Sequence, residues 1–160
     1  MDNDLPLAVT HEVRDRCLCL HLQRAARSIG RYFDDALRPV GLKQGQYSLL
    51  IAINRPEAPK MGEIAQLLAL DRTTLTANLK PLERRGLIRI REDKDDRRGR
   101  RLVLTAKGRQ LLKRAVPLWR AAHDSVDEML GSDTGTDRLR ANLLTLAFGS
   151  PGDITEARAT

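Results

Sequence analysis

The sequence predicts a mainly α-helical fold carrying one small β-hairpin, and three observations predict it. Residues 12–38 and 109–148 hold apolar side chains at helical spacing over long stretches near both ends. Between them lie two short helical patterns separated only by Ala69 and Leu70. Directly after, Leu87-Ile88-Arg89-Ile90-Arg91 alternates apolar and basic residues, and Arg101-Leu102-Val103-Leu104 does so approximately. The charged segment from Glu92 to Arg100 that joins them contains Gly99, which is the pattern of a hairpin with a long loop. Two short helices in tight succession followed by a hairpin make a winged helix-turn-helix, predicted over residues 43–108. The terminal segments, 12–38 and 109–148, are predicted to form a helical dimerisation platform.

The N-terminal residues up to about His11 carry little pattern beyond Pro6 and are expected to form a partly ordered arm. One long helix is predicted from Glu12 to Arg38. Its apolar residues, Leu18, Leu22, Ala25, Ile29, Tyr32, Phe33, Ala36 and Leu37, cover a face wider than one contact needs. Pro39-Val40-Gly41 stops it, and a second helix runs from Gln44 to Asn54, ended by Pro56 and Pro59. Met61, Ile64, Ala65 and Leu68 then fall at positions i, i+3, i+4 and i+7 of a short helix. The Asp71 carboxylate can accept from free backbone N–H groups two or three residues on, so the next helix should start at Arg72. Pro81 sits inside that helix and removes the hydrogen bond to the Ala77 carbonyl, at roughly 3 kcal/mol unless the helix bends. A kink is therefore expected between Ala77 and Pro81, because Leu82 continues the stripe of Leu75 and Leu79. Gly86 supplies the left-handed stop. Thr105 is the N-cap of another long helix through Trp119 and Leu130, bent at Pro117. Gly131 to Gly135 reads as a loop, a last helix runs from about Thr136 to Phe148, and the tail beyond Gly149 is expected to fray.

The 160 residues suit one compact domain with an appended helical platform, and they can bury a real core. Net charge is +7 and the pI about 10.0. The location of the charge says more than its size. From Arg84 to Arg109 there are 11 Lys or Arg against 4 Asp or Glu, a local excess equal to that of the whole chain. A basic patch of this kind neutralises phosphates and releases counterions, although a charge run by itself also describes an ordinary solvated face. The acidic N-terminus lacks the features of a signal peptide and no apolar run approaches membrane-spanning length, so the expected location is the cytoplasm. Cys17 and Cys19, two positions apart, do not resemble a disulfide framework.

On the helix from Arg72, the core stripe of Leu75, Leu79 and Leu82 is opposed by Thr73, Ala77, Lys80 and Arg84, with Thr74 and Thr76 alongside. Taken alone, that periodicity equally fits an amphipathic surface helix. In a helix-turn-helix setting, small hydroxylated residues let the helix sink into the major groove. Threonine can there meet base edges or a thymine methyl, and Lys or Arg guanine or phosphate. Arg72, Thr73, Thr74, Thr76, Ala77, Lys80 and Arg84 are the candidate double-stranded DNA contacts of this helix. Asp96, Arg97, Arg98 and Arg100 are those of the wing.

These residues together resemble the MarR family of bacterial winged-helix transcription regulators, over about Arg14 to Phe148. The resemblance is most specific in Leu70-Asp71-Arg72-Thr73-Thr74-Leu75-Thr76 running into Leu82-Glu83-Arg84-Arg85-Gly86-Leu87-Ile88. It is also carried by Asp95-Asp96-Arg97-Arg98-Gly99-Arg100-Arg101 closing on Leu104-Thr105-Ala106-Lys107-Gly108, and by Gly41-Leu42 to Gln46-Tyr47. It implies that Asp96 orients Arg98, which enters the minor groove, where negative potential is enhanced. Arg97, Arg100 and Arg101 crowd the same hairpin and leave open which arginine inserts. The resemblance further implies a homodimer, a pseudo-palindromic operator, and repression relieved by a ligand or oxidant. The apolar excess of the terminal helices independently favours packing across a two-fold axis, with an intramolecular bundle in a monomer as the alternative.

An effector is expected between platform and winged helix, with Trp119, Tyr47 and His21 as candidate pocket residues. Cys19 is similar in position to the sensing cysteine of the family's organic-hydroperoxide branch. Gln23 and Phe33 stand where that branch carries tyrosines, and a small buried hydrophobe is the competing reading. On a continuous helix Cys17 and Cys19 would point about 200° apart and could not pair without local unfolding. His11, His21 and His123 have no metal-ligand spacing, and no phosphate loop, His–Glu zinc helix or Gly-x-Ser-x-Gly is present, so neither a cofactor nor an enzyme is expected. The reading is a dimeric, sequence-specific, ligand-responsive DNA-binding repressor. Its rivals are a structural protein that coats DNA through the basic wing alone and a thiol-based regulator using Cys19.

Overall fold

The computed structural model describes residues 5–149 apart from 94, 95, 97, 98 and 132. Helices α1 (Leu7–Arg16) and α2 (Leu18–Leu37) lead through a 3-10 turn (Arg38–Val40) into α3 (Gln44–Ile53), α4 (Met61–Leu67) and α5 (Arg72–Arg84). The hairpin β1 (Ile88–Glu92) and β2 (Arg100–Leu104) follows, then α6 (Ala106–Leu130) and α7 (Asp133–Phe148). The strands pair antiparallel from Ile88 with Leu104 to Glu92 with Arg100. None of the helices is long and apolar enough to cross a membrane.

The single long first helix is a misreading that the structure corrects. Helix α1 begins at Leu7 with Pro6 as its N-cap, and the chain leaves helical geometry at Cys17 (φ −70°, ψ 102°) before α2. Pro6 suits a helix start because its missing N–H would have had no partner there. No Gly or Pro marks the interruption at Cys17, so pattern alone could not find it. Helix α1 buries nothing within the chain, and its Leu7, Val9 and Val13 are exposed. The last helix also starts earlier than expected, at Asp133.

Elsewhere local chemistry and fold agree. Asp71 caps α5, Thr105 caps α6, and Gly86 and Gly131 end helices with positive φ. Pro81 and Pro117 lie inside unbroken helices. Leu75, Leu79 and Leu82 are buried with Leu37, Leu50, Ile64, Leu87 and Leu102 in one core, each contributing about 1.5–3 kcal/mol by leaving water. Helix α3 runs through it, touching α2, α4, α5, α6 and β2, so the hairpin and the two short helices form one body under the long helices.

A candidate nucleic-acid interface

The turn between α4 and α5 is made by backbone alone. The Leu70 N–H donates to the Ala65 carbonyl (2.8 Å) and the Ala69 N–H to the Gln66 carbonyl (3.1 Å), with Ala69 in the left-handed region at φ 50°. A residue with a Cβ there costs roughly 1–2 kcal/mol, which is offset by Leu68 and Leu70, half-buried on either side and packed against the core. Asp71 then starts α5, and its first turn exposes Arg72, Thr73, Thr74, Thr76 and Ala77, followed by Lys80 and Arg84.

The three threonines of that face are not equivalent. The Thr74 hydroxyl donates to Asp71 Oδ2 (2.6 Å), and the Thr76 hydroxyl donates to the Arg72 carbonyl (2.7 Å). Each hydroxyl has one proton, so both are left as acceptors and methyl groups. The Thr73 side chain has no hydrogen bond among the described residues, and Lys80 and Arg84 form no ion pair among them. Thr73, Lys80 and Arg84 are therefore ready donors, as is the exposed Arg72 guanidinium, which also forms no ion pair among the described residues.

On the wing, Arg100 donates through Nη1 to the Gly99 carbonyl (3.1 Å) and stands 3.5 Å from Glu92, while Arg101 is drawn back to the Ala58 carbonyl (2.8 Å) and Asp93 (3.0 Å). Two of the four crowded arginines are thus engaged internally. Asp96 is exposed, and its carbonyl accepts from the Gly99 N–H at 2.8 Å. Arg97 and Arg98 lie outside the described residues. A Cβ on Gly99 would stand 2.9 Å from the Asp93 Cβ and 3.1 Å from the Asp96 carbonyl, so glycine is required for the loop to close.

The first turn of α6 grips the end of α5. The Thr105 hydroxyl reaches the Gly86 (2.7 Å) and Leu87 (3.0 Å) carbonyls and accepts from the Gly108 N–H, while Lys107 Nζ donates to the Arg85 carbonyl (2.8 Å). This joint was invisible as such in the sequence, where Thr105 and Gly108 signalled only a helix start.

The proposed pocket residues divide. Tyr47 and Trp119 stack at 6.0 Å, and Trp119 meets the ring of His123 at 4.2 Å, which in turn meets Phe33 at 4.7 Å. His123, which sequence reasoning passed over, is the histidine of this cluster. Burial there holds its imidazole below the usual range, partly opposed by Asp127. His21 is exposed on α2, its Nδ1 2.9 Å from the Cys17 carbonyl, and makes no ring contact with Tyr47 or Trp119. Two open clefts lie away from this cluster. A cavity of about 350 Å³ is bounded by Gly30 and Asp34 of α2, Lys43 to Gln46 and Leu49 at α3, and Asn78 and Pro81 of α5. A second, of about 520 Å³, shares Asp34, Lys43 and Gln46 and extends to Arg31, Arg38 and Arg85.

Cys19 is exposed rather than buried, and Cys17 is half-buried at the break between α1 and α2. The opposed geometry expected of a continuous helix does not apply to this pair, because only Cys19 is helical.

The family profile described as MarR family matches residues 40–99. The HTH-type transcriptional regulator TtmR of Methylorubrum extorquens is 35% identical over 91% of this chain and 70% of its own length. Among solved structures, the M. tuberculosis transcriptional regulator MosR in complex with DNA is 42% identical, covers 82% of this chain and 96% of its own, and superposes with a TM-score of 0.74. CouR from Rhodococcus jostii RHA1, bound to p-coumaroyl-CoA, is 27% identical over 83% of this chain and 93% of its own, with a TM-score of 0.72. These relatives are regulators rather than enzymes. With the helix-turn-helix, the wing and a regulator's identity extending through nearly the whole chain, this protein belongs to the MarR family of winged-helix transcription regulators.

Proposed function

We propose that the chain acts in the cytoplasm as a homodimeric repressor of pseudo-palindromic operators, with α5 of each protomer in the major groove and each wing in a flanking minor groove. The observation that carries this is the exposed face of α5, where Thr73, Lys80 and Arg84 present donors around the small Ala77. A protein that only coats DNA needs phosphate contacts and no such face. The DNA complex of MosR supports the reading. The dimer is supported by apolar residues left in water on the terminal helices, among them Val13, Leu139, Leu143 and Leu146. A small-molecule effector would enter the adjoining open clefts between α2, α3 and the end of α5 and shift the recognition helix against the platform; the ligand-bound form of CouR supports an effector of some kind.

Genomic fragments captured by the purified protein and sequenced test the proposal. Enrichment of a few sites sharing an inverted repeat is expected. Uniform recovery of the genome would overturn sequence-specific binding in favour of the coating protein.

A thiol switch is the second reading, favoured by the exposure of Cys19 beside an interrupted helix. Mild peroxide should then release the wild type from its operator and not the Cys19→Ser variant. Equal behaviour of the two would remove this reading.

A further inference from the structure

We propose that Asp93 is a positioning residue for DNA binding: it fastens the base of the wing to the segment that leads into the helix-turn-helix, so that wing tip and recognition helix meet the duplex in fixed relation. The proposal rests on the wing contacting DNA as set out above.

Asp93 follows the end of β1, and it is the one buried charged residue among those described, its side chain 1% exposed. A carboxylate out of water is costly unless paired. Two cations from different elements face its Oδ2 at ion-pair distance, namely Nε of Arg101 on β2 at 3.0 Å and Nζ of Lys60, the N-cap residue of α4, at 3.7 Å, contacts of charge rather than of aligned hydrogen bonds. The same place is tied by backbone. Lys60 forms a bridge with Arg101, the Leu102 N–H donates to the Pro59 carbonyl at 2.9 Å, and Arg101 Nη1 donates to the Ala58 carbonyl at 2.8 Å. The Asp93 N–H closes the loop on the Gly99 carbonyl at 3.1 Å.

The base of the wing is therefore fixed on one side by hairpin pairing and on the other by residues 58–60. A two-stranded hairpin alone is marginally stable and free to swing. A two-cation hold on a buried acid removes that freedom before DNA is met, and affinity rises when a binding element is ordered in advance. The ion pair of Arg16 with Glu12, exposed and within α1, has neither that burial nor that reach.

The test uses the full chain and an operator fragment from the capture experiment, with Asp93→Asn, Arg101→Gln, Arg98→Ala and the Asp93→Asn/Arg98→Ala pair. In free protein, hydrogen exchange of the Leu102 amide should quicken in Asp93→Asn and in Arg101→Gln. On DNA, both variants should bind about tenfold more weakly, and the slope of log affinity against log salt should fall by about 1, as when one phosphate-tracking cation is removed. In the Arg98→Ala background Asp93→Asn should add little, because both act through the same wing. A lowered melting temperature with an unchanged salt slope would overturn the proposal and leave Asp93 structural, as would full additivity of the two substitutions. If Arg98→Ala alone changes neither affinity nor slope, the wing reading itself fails and takes this role of Asp93 with it. Should Asp93→Asn fold poorly, Arg101→Gln decides the matter by the same measurements.

Discussion

Thr74 closes on Asp71 twice, its amide donating to Oδ1 at 2.8 Å and its hydroxyl to Oδ2 at 2.6 Å. This pair starts the recognition helix and also occupies the only proton of the Thr74 hydroxyl. It holds the Asp71 carboxyl below its usual range, the hydroxyl contributing first and the amide second. The folded state thus binds the proton less readily than the unfolded chain. The resulting stability is complete above a pH of ~3.9 and is lost as pH falls through the lower folded value. Asp71→Ala should lower the melting temperature by a few degrees at neutral pH and weaken operator binding. Melting curves of both proteins should draw together as pH falls below about 3.9.

Recognition helix and wing should separate in binding experiments. Thr73→Val and Lys80→Ala are expected to change which bases are preferred at inner half-site positions, at about 1–3 kcal/mol for each base left without its partner. Thr76→Val should matter less, since its proton is already given to the Arg72 carbonyl. Arg98→Ala should weaken all sequences and lower the salt slope by about 1, whereas Arg100→Ala, already held by Glu92 and the Gly99 carbonyl, should do less. Binding-site selection at two salt concentrations reads both effects.

Leu139, Leu143 and Leu146 fall at i, i+4 and i+7 on α7 and are 42%, 40% and 56% exposed within one chain. Leu143→Glu with Leu146→Glu should give monomers that bind a full operator weakly. Leu144, half-buried, is a poorer target. Sedimentation of the wild type as a monomer at micromolar concentration would rule out the dimer.

The His123 imidazole is held below its usual range chiefly by burial against Phe33 and Trp119. Asp127 and Asp124 draw it upward, and Arg140 pushes it down. The unfolded chain therefore takes up the proton first. Stability linked to this group is present above a pH of about 6.5 and falls as pH drops below it. Urea unfolding between pH 8 and 5 should show that decline, and His123→Phe should flatten it.

Gly108 has no room for an added methyl group. A Cβ there would overlap the Leu87 carbonyl oxygen and come within 2.7 Å of Leu104 Cδ1. Gly108→Ala should cost about 1–3 kcal/mol by overpacking, read as an earlier urea midpoint. It should also loosen the grip of Thr105 on the end of α5, so operator affinity should fall beyond what the drop in stability explains.

The elements of this protein were legible because each is dictated by short-range rules. Leu75, Leu79 and Leu82 repeat at the helical period, Asp71 and Thr105 offer caps, and Gly86 permits the stop. The alternation around residues 88–92 and 100–104 gave the hairpin, and clustered charge pointed to its partner. What sequence could not carry was whatever depends on which distant residues meet. A linear pattern could not show that Arg100 and Arg101 are engaged internally, because that follows only once Glu92, Gly99, Ala58 and Asp93 are brought beside them. The threonines of α5 read as three equal hydroxyls until caps and carbonyls took two of their protons. The break at Cys17 and the exposure of Cys19 followed from packing rather than periodicity, since α1 lies outside the core and no breaker residue marks the junction. His123 in place of His21 in the aromatic cluster is likewise set by how α6 crosses α2. Local backbone chemistry acts over a few residues and is written in their order. Burial, the pairing of charges and the use of each donor are decided only when the chain closes on itself, because they depend on distance in space.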